Sequence, residues 1–407
     1  MSSSYSLAFN WDEGLIDDCA RLNKTGRGIQ VGEFFGSLRF SPVGSGRPGM
    51  YLAGVDFEQA ARQVALMHAR GIRFAYIANA PCLGNREFKN DYAARLLAFF
   101  DQIVNGLGAD TVVLTVPYLI EMVKRNFPRV GVKASVIAHI NSIPLLMHFQ
   151  ELGVDMIVLD YMQNRNFPFL REAVKAARVP LELHTNDCCL YGCPYRQYHY
   201  NINGHADQED YLSRANSIQV DYCLLKCGLY FYRHPEELIK SRWIRPEDVE
   251  VYERIGINHF KGGNRQWERE RLRRLAGAYL ARRWDGNLLE LLAVARTEVG
   301  ETNAKKPPGM SGREWEQALD FRAGLRPGVP VELDNRALDG FLEHFFTQDC
   351  QLACGRCRYC ASVAERAVRI NEPDALEQWL SLQESRAAEL AAGAGQAQGG
   401  TGKCILR

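Results

Sequence analysis

Short apolar runs rich in β-branched residues recur along the first 285 residues, each followed by an amphipathic stretch. The runs are GIQVGEFF (28–35), RFAYIA (73–78), TVVLTV (111–116), VKASVIA (132–138), VDMIVLD (154–160), VPLELH (179–184), QVDYCLL (219–225) and INHFKGG (257–263). They are continuous rather than alternating in polarity, as strands buried on both faces are. Between them, DFEQAARQVALMHARG (56–71) sets Phe57, Ala60, Ala61, Val64 and Met67 at helical spacing and stops at Gly71. RLLAFFDQIVNGLG (95–108) and FPFLREAVKAAR (167–178) repeat that pattern, and PEDVEVYERIG (246–256) opens with proline and acids, as a helix N-terminus does. Eight strands with crossovers predict an α/β fold, a (β/α)8 TIM-like barrel. An open doubly wound sheet would want a Gly-rich dinucleotide loop after an early strand, and none fits.

The pattern changes outside the barrel. Residues 1–27 read as an N-terminal extension and 28–295 as the barrel. Residues 296–335, rich in Gly, Pro and charge, read as a linker with one short helix. A small cysteine-rich C-terminal module follows at 336–390, and the low-complexity end, 391–407, reads as a flexible tail.

Composition adds limits. The chain has 46% hydrophobic and 24% charged residues, which excludes a disordered or fibrous protein. Lys and Arg number 49 against 48 Asp and Glu, so overall charge gives no reason to expect nucleic acid. The basic run 265–284 reads as a helix with a solvated face, and RNA contact there is the sharper alternative. No apolar run of about 18 residues predicts a membrane span. MSSSYSLAFNWDEGL lacks a basic-then-apolar leader, so a cytoplasmic location is expected.

The 12 cysteines change the picture more. Cys188, Cys189 and Cys193 lie in ELHTNDCCLYGCPYRQYHYN (182–201), and Cys223 and Cys227 follow. Clustered cysteines in a large chain without a leader point to metal or redox work rather than disulfides. The first group starts where a strand ends, at the predicted catalytic face, and the second falls at the end of the next expected strand. Thiolates from both would close a four-thiolate site for zinc or an iron–sulfur cluster. DCQLACGRCRYC (349–360) holds Cys350, Cys354, Cys357 and Cys360 in a Cys-x3-Cys-x2-Cys-x2-Cys pattern. That density is nearer ferredoxin ligation than a zinc ribbon. The first three also match the triplet of radical S-adenosylmethionine enzymes, but those place it after the first barrel strand. Arg356, Arg358 and Arg366 stand nearby to balance a cluster's charge. Cys19, Cys82 and Cys404 read as bystanders.

Strand ends supply further candidates: Glu33 and the loop SPVGSGRP with Arg47, His139 and Asn141, Asp160, His184, Asn186 and Asp187, and Lys261 and Arg265 in FKGGNR. His184 and Lys261 stand out because each closes an apolar strand facing the mouth. A thiol nucleophile paired as Cys193 with His199 is the peptidase alternative; no His-Glu-x-x-His helix signals a zinc peptidase.

NDCCLYGCPYRQYHYN (186–201), followed by KSRWIRPEDVEVYERIGINHFKGGNR (240–265), resembles the peptidase U32 family. The resemblance implies a barrel-like catalytic domain whose cysteines hold a 4Fe-4S cluster. It implies either collagenase-like peptidase activity or oxygen-independent hydroxylation of quinone precursors or RNA bases, with prephenate as hydroxyl donor. Small-molecule, RNA and peptide substrates are all implied, as is a related partner subunit for some relatives. By position, Cys189, Cys193 and Cys227 are implied ligands, with Cys223 or Cys188 completing the set and Arg196 beside the cluster. His184, Arg196, His199, Lys261 and Arg265 form the expected catalytic group, and a second 4Fe-4S cluster is expected at Cys350, Cys354, Cys357 and Cys360.

Overall fold

The computed structural model describes residues 3–211, 220–293, 306–307, 309–325 and 327–393. Eight parallel strands close a barrel in sequence order: β1 (Ser3–Ala8), β2 (Ile29–Gly36), β3 (Arg73–Ile77), β4 (Thr111–Leu114), β5 (Gly131–Ala134), β6 (Met156–Val158), β7 (Leu181–His184) and β8 (His259–Gly262). Helices such as Phe57–Ala69 and Phe167–Ala176 pack outside, as the apolar periodicity predicts.

Two of the eight strands differ from the reading by sequence. The first barrel strand is β1, inside the stretch expected to be an extension. It closes the barrel, pairing Leu7 with Phe34 of β2 and Ser4 with His259 of β8. SSYSLA carries three serines in six residues, so it lacks the apolar run that marks its neighbours; Ser3 and Ser6 are nonetheless buried. Conversely, QVDYCLL does not form a strand: Tyr222–Arg233 is a helix. Asp221 caps it, accepting from the Leu224 N–H at 2.9 Å. Leu225, Leu229 and Tyr232 form one buried side of it, and Cys223 is buried on the opposite side.

The barrel interior holds a charged centre. Lys133 of β5 places its amine 2.6 Å from Glu33 and 2.9 Å from Glu182 of β7. Ser6 of β1 donates to Glu182 at 2.7 Å or to Glu33 at 3.0 Å. All four are buried. Burial alone would lower the Lys133 pKa, but the two carboxylates outweigh it and hold the amine charged.

The C-terminal part is bound to the barrel. Strand β9 (Val331–Leu333) pairs antiparallel with β10 (Val368–Ile370). The expected linker contains the helix Gly312–Gly324, started by a Ser311/Glu314 capping box. The helix Pro373–Ala391 lies on the helix Tyr222–Arg233: Tyr232 and Trp379 rings are 5.5 Å apart, and Arg233 is held by Glu377 at 2.5 Å and Glu384 at 3.1 Å. Residues 294–305 of the linker region, most of the expected tail and Cys404 lie outside the described residues. Among the described residues no helix is long and apolar enough to cross a membrane.

Removing Lys133 leaves two buried carboxylates unpaired. We predict that Lys133→Met costs about 3–5 kcal/mol in chemical denaturation. Adding Glu33→Gln and Glu182→Gln to it should recover much of that loss.

Candidate functional site

Two adjoining cavities open where the strands end. The inner one, about 70 Å³, lies within the barrel and is lined by Arg47, Asn79, Ser135, His184, Lys261 and Arg265 among others. The outer one, about 150 Å³, is lined by Cys188, Cys189, Cys193, Cys223 and Cys227 together with Arg196 and His199. Arg47, Asp187, Tyr200 and Asn264 line both, so the cavities share a wall. A wider groove, about 960 Å³, sits at the opposite end of the barrel, beside Gly28 and Asn258. Its charges are largely satisfied by one another, as in Arg282 with Glu253 at 2.6 Å, so it makes a poor anion or cation site.

Lys261, on β8, is buried, and its amine has no hydrogen-bond partner. It lies 3.8 Å from the centroid of the Phe35 ring. Burial pushes its pKa down to about 8, against the pull of Glu182. The next residue must be small: a Cβ at Gly262 would lie 2.1 Å from the Tyr5 hydroxyl. His184 ends β7, with Nδ1 3.1 Å from the Asp187 carboxylate but out of line for a hydrogen bond. Burial holds the imidazole below its usual pKa although Asp187 opposes this, so it is neutral near pH 7.

Arg265 has a positioning role. It donates to the Ser37 hydroxyl and, at 2.9 Å, to that of Ser45. Ser45 in turn donates to Asp207 at 2.5 Å, and Gly46 N–H donates to Asn79 at 2.9 Å. These bonds hold the SPVGSGRP loop across the mouth and carry Arg47 to the shared wall.

In the outer cavity, Cys188, Cys189 and Cys193 come from the loop after β7. Cys223 and Cys227 come from successive turns of the helix Tyr222–Arg233, not from a strand end as expected. Burial pushes the thiols up, Cys189 to about 11 and Cys223 to about 12, with Asp187 and Asp221 respectively adding to the effect. Arg196 is committed to Asp160, donating to its two oxygens at 2.9 and 2.7 Å, and its guanidinium lies 4.3 Å from the Tyr161 ring centroid. Burial works against the Asp160 charge, but His139, 3.6 Å away, and the two hydrogen bonds from Arg196 keep its pKa below the ordinary value. Arg196 is also within electrostatic reach of Cys189 and Cys193. His199 Nε2 lies 3.1 Å from Asp221, tying the helix Arg196–His205 to the cysteine-bearing helix.

The outer cavity has a wall that sequence reading missed. The helix Gly312–Gly324 brings Phe321 and Arg322 to it. The Arg322 guanidinium lies 4.1 Å from the Tyr51 ring centroid and donates to Gln266 at 2.6 Å. No motif marks this helix, whose only local signal is its cap. Cys350, Cys354, Cys357 and Cys360 belong to the C-terminal module and do not line this cavity.

Among the described residues no three His, Cys, Asp or Glu side chains converge as a single metal ion requires. A tetrahedral zinc–thiolate site needs its sulfurs within about 3.8 Å of each other. Cys188, Cys189, Cys193, Cys223 and Cys227 line one cavity instead, and sulfur donors of this kind are what iron–sulfur clusters take.

No family model matches the chain. It is 30% identical to an uncharacterized protease of Methanocaldococcus jannaschii over 357 residues, which cover 88% of this chain and 95% of that protein. A solved U32 peptidase structure covers 65% of this chain and 93% of its own at 18% identity and TM-score 0.48. The chain belongs to the peptidase U32 family. A Rhizomucor miehei chitinase also aligns, over 68% of this chain and 99% of its own, at 12% identity and TM-score 0.35. In this U32 protein the doublet Cys188–Cys189 and the helix carrying Cys223 and Cys227 face one cavity.

A small carboxylate should bind the inner cavity with Lys261 protonated. We predict that succinate affinity, measured by calorimetry, falls by up to about tenfold per pH unit above about 8, the pKa of the free site. Lys261→Met should lower the affinity and remove that pH dependence.

Proposed function

We propose that this protein is an iron–sulfur enzyme of the U32 type that performs oxygen-independent hydroxylation, with a small carboxylate such as prephenate as hydroxyl donor. The shared wall carries this reading: a cationic barrel cavity adjoins a thiol-lined one across Arg47, Asp187, Tyr200 and Asn264. Cys189, Cys193, Cys227 and Cys223 would hold the 4Fe-4S cluster, with Cys188 the alternative fourth ligand. When bound, the cluster supplies one-electron chemistry and a Lewis-acidic iron next to the inner cavity. The buried Lys261 amine and the Arg47 guanidinium bind the donor's carboxylate. His184, neutral beside Asp187, accepts or returns a proton at the imidazole. Arg196, fixed on Asp160, keeps a positive charge beside the thiolates. The acceptor, whether a small molecule, RNA or peptide, enters past Phe321 and Arg322, and a related partner subunit is part of this reading.

The name of the Methanocaldococcus relative suggests a peptidase instead. A thiol nucleophile needs a base beside it, and among the described residues no hydrogen bond joins Cys193 to His199, whose Nε2 lies 3.1 Å from Asp221.

Anaerobically purified protein should be brown, and Cys193→Ala should lose about four irons and four sulfides. Lys261→Met should keep that iron and lose donor-dependent product. Peptide cleavage that Cys193→Ser abolishes, in protein free of iron, would favour the peptidase.

A further inference from the structure

A smaller cavity lies where the barrel meets the C-terminal module. It is about 10 Å³, room for one small body and no more, and is lined by Gln163, Arg165, Asn166, Tyr191, Arg242 and Cys350 among others. Its walls come from the turn after β6, the loop after β7 and residues 348–351 of the module. The second 4Fe-4S cluster expected in this segment does not find its site. Of the four cysteines only Cys350 lines the cavity, and among the described residues no three ligating side chains converge.

What the cavity does gather is positive charge. Arg165 is 1% exposed and Arg242 4%. Arg165 donates to the Ile239 carbonyl at 2.6 Å and the Trp243 carbonyl at 3.2 Å. Its guanidinium lies 4.3 Å from the Trp243 ring centroid and 4.6 Å from that of Phe341. Arg242 lies 3.8 Å from the Tyr191 ring centroid. Carbonyls and ring faces attract a guanidinium but carry no net charge. Both Nε atoms are buried without a hydrogen-bond partner. Burial pushes the Arg165 pKa down to about 10 and the neighbouring Arg242 adds to the effect, so Arg165 is still charged near pH 7.

No negative group of the protein answers this pair. Among the described residues neither guanidinium forms an ion pair with a carboxylate. Asp248 is taken by Arg245 at 2.9 Å. Asp349, beside the cavity, is exposed and accepts from the Gln351 N–H at 2.8 Å. Burial holds the Cys360 thiol up at about 11 against the pull of both arginines, so it is neutral near pH 7. Two neighbouring buried cations without a counter-ion are costly, and the cavity they line has room for the missing charge.

We propose that a single chloride ion binds in this cavity against Arg165 and Arg242 and pins the C-terminal module to the barrel. Chloride has the single charge and the one-atom size that the site requires; sulfate and phosphate are too large for it. The pin also steadies the barrel-mouth loop. Tyr191 lies between Cys189 and Cys193, and Ser241, next to Arg242, donates to the Cys189 carbonyl at 2.8 Å. The ion binds whatever the barrel-mouth cysteines carry, so this site does not rest on the hydroxylase reading.

The test uses the full chain in gluconate buffer, with chloride or sulfate added at constant ionic strength. The chloride NMR line should broaden with wild type and lose most of that broadening with Arg242→Gln. Chloride at about 100 times its Kd should lower the unfolded fraction of wild type about a hundredfold in chemical denaturation. It should also slow proteolytic release of the module, and sulfate should do neither. Wild-type crystals soaked in bromide should show an anomalous peak in contact with both guanidinium groups. Stability that ignores chloride, equal stabilisation by sulfate, or an unchanged chloride response in Arg242→Gln would overturn the proposal. A bromide soak that leaves only water between the arginines would overturn it as well, and that measurement stands even where Arg242→Gln fails to fold.

Discussion

The amine of Lys133, held between Glu33 and Glu182, is the constraint on which the mouth of the barrel depends. These groups come from β5, β2 and β7, and Ser6 of β1 completes the set. A one-residue slip in any of these strands would turn a charge outward and strand its partners in the interior. The charged centre thus fixes the register of half the strands, and with it the heights at which His184 and Lys261 emerge. Lys261 feels the same carboxylates from above, which links the lining of the inner cavity to the barrel's own balance of charge.

Much of this was legible in the sequence. Seven barrel strands announce themselves as buried apolar runs, and strand ends pointed to His184, Lys261 and the cysteine loop. Two elements were misread for opposite reasons. In β1 small serines occupy interior positions where the other strands carry bulky residues, so periodicity gives no signal. In 219–225 a short apolar run imitates a strand, although Asp221 is well placed to cap a helix. The two errors cancel in the count of eight. Lys133 and Glu182 were overlooked, yet charges in the middle of VKASV and LELH are themselves a signal: a strand buried on both faces carries a charge only where something answers it. Arg196 and Arg265, both expected in the catalytic group, are each hydrogen-bonded to protein partners. Such commitments depend on contacts far apart in the chain, which a sequence does not display.

The C-terminal module is part of the site's support. The helix Tyr222–Arg233 carries two cysteines on one side and meets Pro373–Ala391 on the other, through Trp379 and the grip of Glu377 and Glu384 on Arg233. The helix Gly312–Gly324 reaches back to wall the outer cavity. A change in the module would therefore reach the barrel-mouth thiols through packed side chains, with no need for movement of the barrel.

The pairing of β1 with β8 also has a kinetic side. β1 is made before the other barrel strands, yet its partner His259–Gly262 emerges only after all of them. Until then the growing sheet has two open edges, and the serine-rich β1 offers little apolar surface with which to wait. Closure of the ring is then a late, long-range event, slow by its topology and exposed to edge-to-edge association. The weak apolar character that hides β1 from a reader of the sequence also makes it a poor template for the wrong partner while the nascent chain is incomplete.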